Sequence, residues 1–125
     1  MAKVPLEKLG DALAEIIEKY EDDMVACMND VVRDAGRKTA AAVRTSAKGV
    51  TKGTKYPGSW TFTVEGRLNP KAIVYSRVPG LPHLIEHGHA TTKGGRVAGK
   101  PHIAPVEKVA TEDFVREMQR RLENL

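Results

Sequence analysis

Apolar residues return every three or four positions along the first part of the chain: Leu6, Leu9, Leu13, Ile16, Ile17, Tyr20, Met24, Cys27, Met28, Val31, Val32 and Ala35. This spacing is one face of a helix and predicts a single amphipathic helix from about Pro5 to Ala35. Pro5 suits its first turn, and Glu7 and Asp11 suit its positive end. Thirty residues make a rod about 45 Å long at the helical rise per residue. A 125-residue globule needs less than that to cover its own core. The surplus stripe, with Leu13 and Ile17 at its centre, predicts a second subunit as its cover. Asp23 interrupts one seam position, which argues against a regular coiled coil. Gly36 is placed to end or bend the helix, and Arg37–Ala47 is placed to continue it as an alanine-rich arm.

Further on the period changes. Trp60, Phe62 and Val64 alternate with Thr61, Thr63 and Glu65, the pattern of a half-buried strand. Gly66–Pro70 is a turn, and Lys71–Val78 reads as a second strand, so the two predict an antiparallel hairpin. Near the end, Val106, Val109, Ala110, Phe114, Met118, Leu122 and Leu125 share one helical face, with Pro105 in the first turn and Glu107 at its acidic start. The order predicts one α+β domain over residues 1–125, with a long N-terminal helix and a C-terminal helix packed on a small antiparallel sheet. Within it, 1–47 is a helical arm, 48–58 a mobile basic loop, and 59–125 the sheet, short helix, loop and C-terminal helix. No internal repeat is visible.

Between hairpin and last helix lies Leu81–Val106, LPHLIEHGHATTKGGRVAGKPHIAPV, with all four histidines and four of the eleven glycines. Pro82 opens a short helix, and Gly88 is placed to end it in the left-handed conformation. Thr91–Gly99 reads as a polar, Gly-rich loop, and Lys100–Pro105 as an extended segment entering the last helix. A loop this elaborate in a small domain usually carries the function.

Charge adds a polarity that the net value of +4 conceals. Residues 1–34 sum to −5, whereas 35–64 hold six bases and no acid. Lys48, Lys52 and Lys55 are the candidate DNA-facing positions. No aromatic-interleaved or helix-turn-helix pattern accompanies them, so sequence-reading of nucleic acid is disfavoured. The single Cys27 allows no intrachain disulfide and fits folding in a reducing cytoplasm. No apolar run is long enough to span a bilayer, and no signal-peptide core opens the chain.

His83-Leu84-Ile85-Glu86-His87 matches the H-x-x-E-H pattern of inverted zinc metallopeptidases, with His89 or His102 available as a third ligand. Gly88 limits that helix to about two turns, and only 38 residues follow it. The competing reading has Leu84 and Ile85 facing the core, the histidines edging an interface, and Glu86 accepting from backbone amides after Gly88 as a clasp. A small basic nuclease or ribonuclease-type toxin, or a metal-dependent hydrolase using His83, Glu86 and His87, stands as the alternative function.

Taken together, Tyr56, Gly58 and Trp60, then His83–Ala90, Gly94-Gly95-Arg96-Val97 and Pro101-His102-Ile103-Ala104-Pro105-Val106, resemble the bacteriophage neck and tail-completion family. These are small morphogenesis proteins of long-tailed phages. The match runs from about Tyr56 to Leu125; His87 and the linker Gly80-Leu81-Pro82 depart from the usual pattern. The resemblance implies a virion protein without catalytic role, cofactor or metal, made in the host cytoplasm. It implies a homo-oligomeric ring that touches head-closure or connector proteins and tail-terminator or tail-tube proteins, with genome DNA passing non-specifically through its lumen. His83, Leu84, Glu86, Gly88, His89, Gly94, Gly95, Arg96, Pro101, His102, Ile103 and Pro105 are then expected to form a structural motif or interface.

Overall fold

A 43-residue helix, α1 (Leu6–Lys48), runs through the molecule and organises everything else. The structure, a computed structural model, describes residues 6–125. The first-turn role expected of Pro5 and the side chains of Leu6 and Glu7 lie outside the described residues. After α1 come a 3-10 turn (Pro57–Ser59), strands β1 (Trp60–Glu65) and β2 (Lys71–Ser76), helix α2 (Leu81–His87), strands β3 (Gly88–Ala90) and β4 (Arg96–Ala98), and helix α3 (Ala104–Glu123). The α+β architecture is as the periodicity predicts.

Gly36 neither ends nor bends α1. A Cβ there would sit 2.7 Å from Phe62 Cδ2 and 3.1 Å from the Ala72 Cβ. Glycine is present so that the helix can lie close on the hairpin, and Ala40 and Ala47 extend the same narrow face, both fully buried. The helix therefore absorbs the expected arm 37–47 without a break. It is roughly 65 Å long by its rise per residue.

Strands β1 and β2 pair antiparallel, Trp60 opposite Ser76 through Glu65 opposite Lys71. Inward residues Trp60, Phe62, Val64, Ala72 and Val74 alternate with outward ones, as a half-covered sheet requires. Val43, Ala47, Tyr56 and Trp60 form the core, with Val74, Leu81, Ile85, Ile103 and Val106 packed on it. Arg44 Nε donates to the Trp60 carbonyl at 2.9 Å, tying helix to strand. Helix α3 packs alongside α1, and Arg121 reaches Asp30 at 3.7 Å. Its predicted apolar face is only half-buried: Val109 and Leu125 are exposed.

The basic segment after α1 is a run of turns. Val50 and Thr51 donate to the Ala47 carbonyl, and Gly58 to that of Thr54. Tyr56 and Pro57 at its end are buried, while Lys48, Lys52 and Lys55 stay exposed. The N-terminal half of α1 contrasts with all this. None of residues 8–23 is buried, and Leu9, Leu13, Ile16, Ile17 and Tyr20 are at least half exposed, Ile16 to 66%. The core begins only at Cys27, whose thiol is free and buried.

Candidate functional site: the Glu86–His102 clasp

Helix α2 turns two kinds of residue inward. At 100° per residue, Leu81, Pro82, Ile85 and Glu86 share one arc, while His83, Leu84 and His87 fall outside it. Leu81 and Ile85 pack on the core and Glu86 is buried, but Leu84 is 42% exposed. The expectation that Leu84 faces the core is thus corrected: it lies more than a third of a turn from the centre of the buried arc.

The Glu86 carboxylate holds the start of α3. Oε1 accepts the backbone N–H of His102 at 2.8 Å and of Ile103 at 2.9 Å, and Oε2 accepts that of Ala104 at 3.0 Å. Residue Ile103, at the N-cap of α3, supplies no side-chain cap. A carboxylate from another helix does that work, at the end where the helix dipole favours negative charge. The clasp predicted for Glu86 is present, but its donors are the first amides of α3 rather than those of the Gly-rich loop. Burial pushes the Glu86 carboxyl upward; the three amides and the neighbouring His102 ring outweigh it and hold the group below its ordinary value.

His102 is the surprise. It is 1% exposed and sits behind the carboxylate. Its Nδ1 lies 2.9 Å from the Lys100 carbonyl and 3.0 Å from Glu86 Oε1, two acceptors, so this nitrogen carries hydrogen. Nε2 is then free to accept from the Tyr56 hydroxyl at 2.7 Å. Burial, with the Glu86 charge nearby, pushes the Tyr56 pKa up. Tyr56 meets the Trp60 ring edge-on at 6.3 Å and 78°. The Trp60 Nε1 is buried with no hydrogen-bond partner among the described residues.

A hydroxyl, an imidazole and a carboxylate in line have the order of a proton relay. Here all three residues are buried, and the cavities between α1 and α3 and beneath β2 are lined by other residues. The chain Tyr56–His102–Glu86 joins three distant parts of the sequence: the turn after α1, the end of α2 and the start of α3.

Gly88 has φ 78° and ψ 176°, so the positive φ expected there is found, in an extended rather than a left-handed helical conformation. A Cβ at Gly88 would run into the Val97 carbonyl and lie 2.7 Å from the Gly99 nitrogen. One at Gly99 would lie 2.6 Å from the Glu86 carbonyl. The two glycines let strands β3 and β4 cross the end of α2 closely. There Gly88, Lys100 and Arg96 donate to the last carbonyls of α2, those of Leu84, Ile85 and His87, with Lys100 at 2.7 Å and Arg96 at 3.1 Å.

The expected Thr91–Gly99 loop is in fact this second hairpin: Gly88 pairs with Ala98, His89 with Val97 and Ala90 with Arg96. Three-residue strands are too short to show a period of two. The signal available was Lys93-Gly94-Gly95, and Gly94, at φ 84°, closes the turn onto Thr91. Gly95 is fixed to Thr91 through its N–H and its carbonyl. Pro101 is exposed, Pro105 lies in the first turn of α3, and Ile103 is half-buried against the core.

The four histidines do not converge. His83 and His87 lie ring to ring at 4.8 Å on the open side of α2, His89 is exposed on β3, and His102 is interior. The Glu86 carboxylate is taken up by the amides of His102, Ile103 and Ala104. Among the described residues no three His, Cys, Asp or Glu side chains are grouped as a metal site needs. No helix of the described residues is long and apolar enough to cross a membrane. No protein-family model matches the chain, and no curated protein or solved structure matches it.

Proposed function

We propose that this chain is a structural component of the neck of a long-tailed bacteriophage, a head–tail joining or tail-completion protein that assembles with copies of itself into a ring. The observation that carries the assembly part is the first half of α1. It holds out Leu9, Leu13, Ile16, Ile17 and Tyr20, each at least half exposed, beyond anything the described residues cover. A contiguous apolar stripe of this kind marks an interaction surface. The resemblance of residues 56–125 supports the phage part of the reading.

In this reading the clasp is a fixed joint. It locks the β3–β4 hairpin and α3 onto the body, so that the exposed histidine and Arg96 side of α2 meets a connector or tail protein in a constant geometry. Lys48, Lys52 and Lys55 line the side nearest the genome, at low density, so that DNA is tolerated and not gripped. No catalytic step, metal or cofactor is assigned. The Glu86 carboxylate is committed to three amides, which favours the structural role over a water-activating one.

The test is made in a tailed phage that encodes the chain. With Leu13→Asp/Ile17→Asp the lysate should contain filled heads and separate tails. Normal infectious particles from that variant would contradict the proposal.

A further inference from the structure

Sheet β1–β2 is covered on one side only. On the other, the register sets Thr61 beside Tyr75, Thr63 beside Ile73 and Glu65 beside Lys71. Ile73 and Tyr75 are 42% and 40% exposed, and Lys71 and Arg77, on the same alternation, are exposed at either end of them. A hairpin with apolar residues on both faces has the pattern of a middle layer. Among the described residues nothing supplies its second cover.

We infer that this outer face is the seat for the N-terminal half of α1 from a second copy of the chain. The inference rests on the self-assembly reading above and names the surface that receives the arm. Dimensions agree: the stripe from Leu9 to Tyr20 runs about 17 Å at helical rise, and Lys71 to Arg77 about 20 Å at strand rise. Charge agrees as well. Residues 1–23 hold seven acids and three bases, a net −4, while residues 24–125 hold 17 bases and nine acids, a net +8. On the helical wheel Glu21 and Asp23 border the stripe, and Lys71 and Arg77 bracket the apolar pair.

The arm cannot fold back onto its own sheet. It is continuous with the half of α1 that covers the inner face, so the occupant belongs to another copy. The groove between α1 and α3 is the rival seat, a cavity of about 350 Å³ lined by Val31, Ala35, Val109 and Phe114. Its rim carboxylates Asp34, Asp113 and Glu117 are each paired with an arginine, Arg37, Arg116 and Arg120, so the rim offers an acidic arm little net charge. An arm-to-sheet contact is heterologous, the kind that generates a ring when its rotation closes.

The test is charge reversal with mixing, read by sedimentation of the full chain. Glu21→Lys/Asp23→Lys alone and Lys71→Glu/Arg77→Glu alone should each run as monomers. An equimolar mixture should recover particles of wild-type size, because every contact in an alternating ring is again between opposite charges. A sheet variant that assembles as well as wild type, or two folded variants that stay apart when mixed, would overturn the inference. If wild type assembles and Leu13→Asp/Ile17→Asp disrupts it while sheet reversal does not, only this docking surface is wrong. A monomeric wild type overturns the assembly reading itself. Should a reversed chain fail to fold, Ile17→Cys chains oxidised with Ile73→Cys chains must link to each other; absence of that heterodimer overturns the inference equally.

Discussion

Glu86 Oε1 accepts the backbone N–H of His102 at 2.8 Å and faces the Nδ1 of the same residue at 3.0 Å. One carboxylate oxygen thus fixes both the main chain and the ring orientation of a buried histidine 16 positions away. Removing the whole carboxylate leaves three amides without their acceptor, while the imidazole N–H keeps the Lys100 carbonyl.

Glu86→Ala should therefore cost roughly 3 kcal/mol of unfolding free energy, since each buried donor left unpaired costs about 1–3 kcal/mol and two of these are only partly buried. Urea unfolding measures it directly. Hydrogen exchange should localise the damage to His102–Ala104 and the first turn of α3, with α1 unaffected. A stability within about 0.5 kcal/mol of wild type, the range usual for surface substitutions, would mean that the carboxylate is only a surface charge.

Acid sensitivity carries the same signature. The folded Glu86 pKa is held below its ordinary value of 4.5, so the unfolded chain takes up this proton first as pH falls. The stability contributed by Glu86 is full above that ordinary value and is lost as pH drops through the folded one. Glu117, lowered by its Arg120 partner, titrates in the same region but is exposed and screened by salt. At high ionic strength the wild type should still lose stability below pH 4.5, and Glu86→Gln should show a flatter profile. Parallel profiles would remove Glu86 from the acid transition.

The glycines separate backbone need from mere presence. Gly88→Ala forces a side chain into a positive φ, costing about 1 kcal/mol, and into the Val97 carbonyl besides. It should unseat the β3–β4 hairpin, visible as lost exchange protection at Val97 and Lys100. Gly10→Ala is the opposite case. Nothing lies within 4 Å of that position on an exposed helix, so alanine should stabilise by about 0.8–1 kcal/mol.

Much of this architecture is legible in the chain because the periods are long. Twelve apolar positions in threes and fours define α1, and Trp60–Glu65 alternates cleanly enough to declare a strand. Pro82, Gly88 and Pro105 act where their backbone chemistry places them. What escapes a linear reading depends on partners far apart in sequence. Gly36 looks like a helix breaker until Phe62 and Ala72 are laid against it. His102 looks like its three companions, and only the juxtaposition with Tyr56 and Glu86 makes it the buried one. The β3–β4 hairpin is too short to carry a period at all. Leu84 is apolar in a mostly apolar helix, and seven residues do not reveal which arc faces inward.

The most direct measurement of the central claim is the native mass of the purified full-length chain beside its Leu13→Asp/Ile17→Asp variant. Both positions are exposed in the isolated subunit, Leu13 to 56% and Ile17 to 50%, so the variant should keep its fold and its unfolding midpoint. The expected result is a closed wild-type oligomer of uniform copy number, annular by electron microscopy, and a monomeric variant with an unchanged circular dichroism spectrum. A monomeric wild type, or a variant that assembles as the wild type does, would contradict the claim that the projecting half of α1 builds a ring.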